Sequence, residues 1–217
     1  MTILALEFSS AQRSVAVVRP GNPQIDAEAV ERGPGGTHAL GLIEEVLAET
    51  GIGREQIEVI AVGLGPGSYT GVRVALSVAQ GWQLARGVKL LGVSSADCLA
   101  AQARAENIFG RVNVVIDAQR NELYLAAYEI SSGGWKEIEP LHLAASPGIS
   151  ARASAGEIWV GPEVTRWLPQ GKILFPSAAT LGRLAAGRCD FVDGDKLAPI
   201  YLREVNFIKA PRNPPRP

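Results

Sequence analysis

The chain has 217 residues, of which 47% are hydrophobic and 20% are charged, and its formal net charge is −1 at pH 7. This composition can build a globular core, and the near-neutral charge excludes recognition of nucleic acid through the overall field of the protein. Any RNA contact must therefore be local or brought by a partner.

The N-terminal segment and the cysteines indicate a cytoplasmic protein. The chain begins with a strand-like segment, Thr2 to Leu6, and lacks a basic region, a long apolar region and a cleavage site there. No apolar run approaches the ~20 residues of a membrane span. Cys98 and Cys189 lie alone in apolar segments without zinc-site spacing, and we expect both to be core thiols.

The first half of the chain predicts three strands followed by alternating helices and strands. Apolar runs between turn residues indicate the strands, and apolar spacings of three and four residues indicate the helices. Gly51 and Gly87 are placed to end two of the helices. The predicted elements are the strands Ile3–Glu7, Ser14–Val18 and Ile25–Glu31, the helix Thr37–Thr50, the strand Ile57–Leu64, the helix Val72–Ala85, the strand Lys89–Val93 and the helix Ala96–Asn107.

The same pattern begins again about 110 residues later, which indicates an internal repeat. We therefore expect an α/β fold of two lobes with repeated β-β-β-α-β-α topology, at residues 1–108 and 109–209, the second lobe being reduced. The proline-rich residues 210–217 predict a disordered tail. The second-half elements are the strands Val112–Asp117, Glu122–Ile130, Trp135–Leu141 and Glu157–Gly161, a short helix Pro147–Ala153 and the helix Ser177–Arg188.

A glycine-rich turn joins the strand Ile57–Leu64 to the helix Val72–Ala85. A helix N-terminus of this kind can hold an anion on its free N–H groups. The turn lacks the lysine of a Walker loop, and Ser68 stands where the third glycine of the dinucleotide fingerprint would be. Close structural packing is the alternative to anion binding. The candidate anion-binding residues are Gly65, Gly67, Ser68, Thr70 and Gly71.

The helix after this turn has apolar residues on more than the one face needed to pack on a sheet. Several of its residues are also small, which permits close approach of another element. We interpret the helix as part of a partner-binding surface, together with the helix Thr37–Thr50. The candidate interface residues are Leu40, Ile43, Val74, Val78, Ala79, Gly81 and Trp82.

Two further motifs do not predict a catalytic centre. His38 has Leu42, and not a second ligand, four residues along its helix, so we predict no metal site. The sequence around Ser94 partly resembles a nucleophile elbow, but Ala96 replaces the last glycine and the hydroxyl is better placed as a helix cap. We therefore predict no catalytic residues.

Six segments together resemble the TsaB (YeaZ) family over about residues 2 to 205. The run from Gly65 to Arg73, G-P-G-S-Y-T-G-V-R, is the most specific of them. The other matching segments are Ile3 to Glu7 with Ser14 to Val17, Thr37 with His38, Asp117 to Tyr124, and Tyr201 to Arg203. The resemblance implies the actin-like ATPase fold of sugar kinases and Hsp70-type proteins.

The resemblance also implies a function, namely that of an accessory subunit in the threonylcarbamoylation of adenosine 37 of tRNAs that read codons beginning with A. The expected partners are a TsaD-type catalytic subunit, a TsaE-type ATPase and, through the complex, tRNA. We expect a heterodimer with the TsaD-type subunit, a homodimer when the chain is alone, and no nucleotide except at a partner interface. The alternative is an ATP-binding phosphotransferase or ATPase that uses the glycine turn with Glu7 or Asp117.

Overall fold

The computed structural model of the chain describes residues 1–21, 27–33, 38–153 and 157–203. The elements found there alternate much as the sequence predicts. In chain order they are β1 (Ile3–Glu7), β2 (Gln12–Val18), β3 (Ala27–Arg32), α1 (Ala39–Thr50), β4 (Val59–Gly63), α2 (Tyr69–Arg86), β5 (Lys89–Val93), α3 (Ser95–Ala105), β6 (Gly110–Asp117), β7 (Glu122–Ser131), β8 (Gly134–Ala145), α4 (Ser146–Arg152), β9 (Ile158–Gly161), β10 (Lys172–Ile173) and α5 (Ala178–Ala186).

Two five-stranded sheets share one strand order. The first sheet is ordered β3-β2-β1-β4-β5 and the second β8-β7-β6-β9-β10, so that β6 corresponds to β1. In each sheet the first three strands in chain order form antiparallel pairs. The other two strands are parallel to the first strand and lie on its other side. The two-lobed α/β fold predicted from the internal repeat is confirmed.

The helices that cover the sheets do not follow the order of the chain. α1 and α2 pack with the first sheet in one apolar core, and α5, from the second half of the chain, covers the opposite face of the same sheet. α3, from the first half, packs on the second sheet, where the Tyr128 hydroxyl donates to Asp97 at 2.9 Å. The predicted units 1–108 and 109–209 therefore separate the strands of the two lobes, while each unit contributes a helix to the other's sheet.

Several predicted boundaries change, each for a local reason. α2 begins at Tyr69 and not at Val72, because the Ser68 side chain caps it by accepting from the Gly71 N–H at 3.2 Å. Gly51 ends α1 in the left-handed conformation, as predicted. The short edge strand β10 was not predicted, since two residues carry no periodic signal. The predicted cap Thr37, the start of β3 at Ile25 and the tail 210–217 lie outside the described residues.

One cysteine prediction is wrong. Cys98 is buried, with its thiol against the Ser177 carbonyl oxygen at 3.4 Å, whereas Cys189 is exposed beyond the end of α5. The apolar segment that suggested a core position ends at Ala186, so Cys189 lies in the connection that follows. Among the described residues, no helix is long and apolar enough to span a bilayer.

Two glycines of α2 allow a matched test of how tightly this helix is seated. An added Cβ at Gly71 would lie 1.9 Å from the Phe8 carbonyl oxygen, but one at Gly81 would meet no atom within 4 Å. We expect Gly71→Ala to lower the free energy of unfolding by roughly 2–4 kcal/mol, because backbone must move. Gly81→Ala should leave it unchanged or raise it by up to about 1 kcal/mol. Urea denaturation measures both, and equal midpoints would contradict the packing at Gly71.

Candidate functional site

A cleft of about 1310 Å³ lies between the two lobes. Its walls come from the turn after β1, the start of α2, the loop between β6 and β7, and the segment after β9. The residues 201–203 close one side. The polar and aromatic residues that line it are Ser9, Ser10, Arg13, Ser68, Tyr69, Thr70, Arg73, Asp117, Gln119, Arg120, Tyr124, Glu163, Arg166, Tyr201 and Arg203.

The glycine turn forms the floor of the cleft on the first lobe by packing against the turn after β1. The Ser68 N–H donates to the Ser9 carbonyl oxygen at 2.6 Å, and the Gly65 carbonyl oxygen accepts from the Ser95 N–H at 2.8 Å. An added Cβ at Gly67 would lie 2.1 Å from the same Ser9 oxygen. These glycines are thus required by close backbone approach.

Among the five candidate anion-binding residues, two N–H groups already have acceptors inside the chain. The Ser68 N–H bonds to Ser9, and the Gly71 N–H bonds to the Ser68 hydroxyl oxygen. Gly67, Ser68 and Thr70 line the cleft, while Gly65 and Gly71 are buried behind it. Anion binding at this turn stays a prediction, and only its cleft-facing part is available for it.

Glu7, the acid that ends β1, lies behind the cleft and is fully buried. Its carboxylate accepts from the Ser9 N–H at 2.7 Å and from the Ser95 hydroxyl at 2.9 Å. Burial raises the pKa of Glu7, and the hydrogen bonds from Ser9 and Ser95 only partly oppose that shift. Gly63 leaves room for the Glu7 carboxyl group, since a Cβ at position 63 would lie 2.1 Å from a Glu7 oxygen. Glu7 therefore ties β1 to the start of α3.

Asp117, the corresponding acid of the second lobe, is engaged by its neighbours. Its carboxylate accepts from the Gln119 N–H at 2.7 Å and pairs with Arg166 at 2.6 Å. Glu163 lies next to it, and burial raises the Glu163 pKa; one of its oxygens is buried without a hydrogen-bond partner among the described residues. Sequence reasoning missed Arg166 and Glu163 as cleft residues, because the segment after β9 has no periodic signal and only one glycine where an adenosine-binding turn would need more.

Two further arginines line the cleft, Arg73 against two tyrosine rings and Arg203 against the loop between β6 and β7. The Arg73 guanidinium carbon lies 3.3 Å from the ring centre of Tyr69 and 5.2 Å from that of Tyr201, and these rings are 6.0 Å apart. Arg203 donates to the Ala118 carbonyl oxygen at 2.9 Å and pairs with the Glu122 carboxylate. The three residues before Glu122, 119–121, all have positive φ, and Arg203 also donates to the Gln119 carbonyl oxygen at 3.4 Å.

The predicted interface residues fall into two groups. Leu40 is 67% exposed and Gly81 is open, while Val74, Val78 and Trp82 are partly buried beside the core. Ile43 is 1% exposed and Ala79 is fully buried, so the prediction that they lie on a partner-binding surface is wrong. Ile43 lies on the side of α1, and Ala79 on the side of α2, that faces the first sheet.

Leu84, which is 89% exposed, belongs to the uncovered face of α2 and was missed. The error over Ala79 and the omission of Leu84 have one cause. Because α2 is apolar on more than one side, the sequence alone did not show which side faces the sheet. A shallow groove of about 400 Å³ runs along the uncovered face near its N-terminal end, lined by Tyr69, Thr70, Arg73, Val74, Ser77 and Val78. We call Leu40 with Val74, Val78, Gly81, Trp82 and Leu84 the helix-pair surface.

Metal ligands are scarce in the described part of the chain. Over residues 1–21, 27–33, 38–153 and 157–203, no three His, Cys, Asp or Glu side chains lie together as a metal site would need. Ser94 caps α3, where its hydroxyl oxygen accepts from the Ala96 and Asp97 N–H groups. His38 pairs with Glu31 at 2.8 Å on the surface.

Comparisons with known proteins agree with one another. Residues 37–141 match the family model of TsaD, tRNA N6-adenosine threonylcarbamoyltransferase. The tRNA threonylcarbamoyladenosine biosynthesis protein TsaB of Escherichia coli K12 is 29% identical over 97% of this chain and 99% of its own length. The protein of that name from Haemophilus influenzae is 35% identical over 58% of this chain and 53% of its own length.

A solved structure of YeaZ from Pseudomonas aeruginosa superposes with a TM-score of 0.78 at 28% identity, over 93% of this chain and 99% of that one. Over nearly its whole length the chain is thus similar in sequence and fold to TsaB (YeaZ) proteins. A second Pseudomonas aeruginosa structure, described as similar to peptidase YeaZ, gives a TM-score of 0.79 at 28% identity, over 93% of this chain and 99% of that one. Both lobes of this chain are included in these superpositions, so the two-lobed α/β fold is shared with these structures. The actin-like assignment that the resemblance implied stays a prediction.

The buried carboxyl of Glu7 predicts a pH-dependent stability. Because burial raises its pKa above the 4.5 of an exposed glutamate, the folded state binds the proton more tightly than the unfolded chain. The stabilisation is therefore full below pH 4.5 and is lost as the pH rises through the raised pKa. Glu7→Gln cannot ionise, so between about pH 5 and 8 the wild-type urea midpoint should fall relative to that of the variant. Parallel pH profiles would contradict the raised pKa.

Proposed function

We propose that this chain is a non-catalytic subunit of the machinery that makes threonylcarbamoyladenosine at adenosine 37 of tRNAs reading codons that begin with A. It acts in the cytoplasm by binding and stabilising a TsaD-type catalytic subunit as a heterodimer. The names of its curated relatives, tRNA threonylcarbamoyladenosine biosynthesis proteins, support the pathway. The observation that supports the mode of action is the uncovered helix-pair surface.

The helix-pair surface has the features of a protein interface. Gly81 leaves open space on α2, and the exposed leucines Leu40 and Leu84 lie on α1 and α2. The adjoining groove of about 400 Å³ gives a partner side chain a place to insert. Exposed apolar groups next to small residues favour close helix packing by another protein.

The match to the TsaD family model indicates why a TsaD-type subunit is the expected partner. The matched residues, 37–141, include both α1 and α2. Two chains of similar fold can pair through corresponding surfaces, much as identical chains do about a two-fold axis. The same argument predicts a homodimer through the helix-pair surface when the partner is absent.

Charge on α1 adds a constraint on the partner. Glu44, Glu45 and Glu49 are exposed on this helix, and only Glu44 has an ion pair among the described residues, with Arg54 at 2.9 Å. A partner helix that packs beside α1 should therefore carry lysine or arginine opposite Glu45 and Glu49. Such charges contribute more to specificity and association rate than to affinity.

The cleft supports a non-catalytic assignment. Glu7 is buried and hydrogen-bonded to Ser9 and Ser95, and the Asp117 carboxylate is paired with Arg166. The alternative, an ATP-binding phosphotransferase or ATPase, would need one of these acids to hold a magnesium-bound water. Both are engaged in structural contacts, so this alternative is the weaker proposal. The TsaE-type ATPase and any nucleotide then join through the complex.

Substitution at Gly81 tests the heterodimer. Gly81→Arg places a long charged side chain in the open centre of the helix-pair surface without touching the core. We expect it to weaken binding to the TsaD-type subunit by about 100-fold or more and to make the isolated chain monomeric. Size-exclusion chromatography with light scattering and calorimetry measure both effects.

The matched control for this test is Gly187→Arg. Gly187 is also exposed with no atom within 4 Å of an added Cβ, but it follows α5 on the opposite face of the first sheet. We expect this variant to bind as the wild type does. If Gly81→Arg still forms the heterodimer with unchanged affinity, the helix-pair surface is not the interface.

A further inference from the structure

The cleft between the lobes is lined by more positive than negative side chains. Five arginines and two carboxylates contribute to its walls, in a chain whose formal net charge is −1. A local cluster of arginines in a near-neutral protein is a footprint of an anionic ligand. The lining arginines are Arg13, Arg73, Arg120, Arg166 and Arg203.

Three of these arginines already have carboxylate partners, and two do not. Arg13 pairs with Glu31, Arg166 with Asp117 and Arg203 with Glu122. Arg73 and Arg120 form no ion pair with any carboxylate in the described ranges. One terminal nitrogen of Arg73, Nη1, is also buried there without a hydrogen-bond acceptor. A buried donor without an acceptor is costly, and an incoming anion would supply one.

Two exposed aromatic rings flank the Arg73 guanidinium, which has no carboxylate partner among the described residues. Tyr69 is 63% exposed and Tyr201 is 46% exposed, and Arg73 contacts the face of Tyr69 at 3.3 Å. Proteins that bind single-stranded nucleic acid combine cations for the phosphates with aromatic rings on which bases stack. An acidic peptide would use the cations but would leave these rings exposed.

We propose that the cleft binds a single-stranded segment of RNA, with a phosphodiester at Arg73 and Arg120 and a base against Tyr69 or Tyr201. This inference rests on the proposed role in tRNA modification and identifies the residues of this chain that would contact the RNA. At about 1310 Å³ the cleft exceeds the ~300–1,000 Å³ of typical small-molecule pockets, which favours a polymer segment. Arginines can bind a phosphodiester without a metal ion. This suits the cleft, because the Asp117 carboxylate is paired with Arg166.

Binding to labelled RNA tests this inference on the isolated chain and on its heterodimer. The probes are a fluorescein-labelled single-stranded ribo-oligonucleotide and an unmodified tRNA transcript, titrated by anisotropy at several salt concentrations. We expect Arg73→Gln and Arg120→Gln each to weaken binding of both probes by about fivefold or more and to reduce the salt slope by about 1. Arg120 is exposed, so its variant should fold normally.

Arg183→Gln is the matched control. Arg183 is an exposed arginine of α5 that does not line the cleft, and its loss changes the net charge equally. If the cleft variants and this control bind RNA alike, or if neither probe binds, the inference is overturned. Saturable binding of AMP, or of an acidic peptide, at Arg73 and Arg120 without RNA binding would likewise overturn it.

The proposed function can fail separately from this inference. Heterodimer formation is measured on the same samples by size-exclusion chromatography. Arg120 separates the two proposals, because it lines the cleft but not the groove beside the helix-pair surface, whereas Arg73 lines both. A heterodimer that forms normally but shows no Arg120-dependent RNA binding contradicts the cleft inference alone. If neither the wild-type chain nor any of its variants forms a heterodimer with the TsaD-type subunit, the proposed function itself fails.

Discussion

The contact between the glycine turn and the turn after β1 determines where α2 lies. The Ser68 N–H bonds to the Ser9 carbonyl oxygen at 2.6 Å, and a Cβ on Gly71 would lie 1.9 Å from the Phe8 carbonyl oxygen. Backbone thus packs directly on backbone, with no side chain between to adjust. The helix that leaves this contact presents Arg73 to the cleft and Gly81 to solvent. Both proposed binding surfaces therefore depend on the same few glycines.

The sequence predicted most elements and the repeated topology because both depend on local periodicity. The internal repeat, with Glu7 and Asp117 at corresponding strand ends, anticipated the two sheets of equal strand order. The exchange of α3 and α5 between the sheets could not be predicted, since periodicity shows that a helix has an apolar face but not which sheet that face meets. The same limit explains Ala79, whose small side chain fits a partner interface and a tight core equally well.

The candidate site was less predictable than the fold. The glycine turn identified one wall of the cleft, but Glu163 and Arg166 come from the opposite lobe and follow a strand with no motif of its own. Their role depends on how the lobes are placed, which is a tertiary property. The chemistry of the cleft also differs from what an actin-like fold alone would suggest. Glu7 is buried behind the cleft in hydrogen bonds with Ser9 and Ser95, and Asp117 is paired with Arg166, so neither strand-end acid is free.

The central claim is that this chain is required by, but does not itself perform, tRNA modification. The most direct measurement is reconstitution of threonylcarbamoyladenosine formation with purified TsaD-type and TsaE-type subunits, a threonylcarbamoyl-adenylate donor and unmodified tRNA. We predict no turnover from this chain alone, and turnover by the other subunits only when it is added. Equal modification rates with and without the chain, or modification by the chain alone, would contradict the claim.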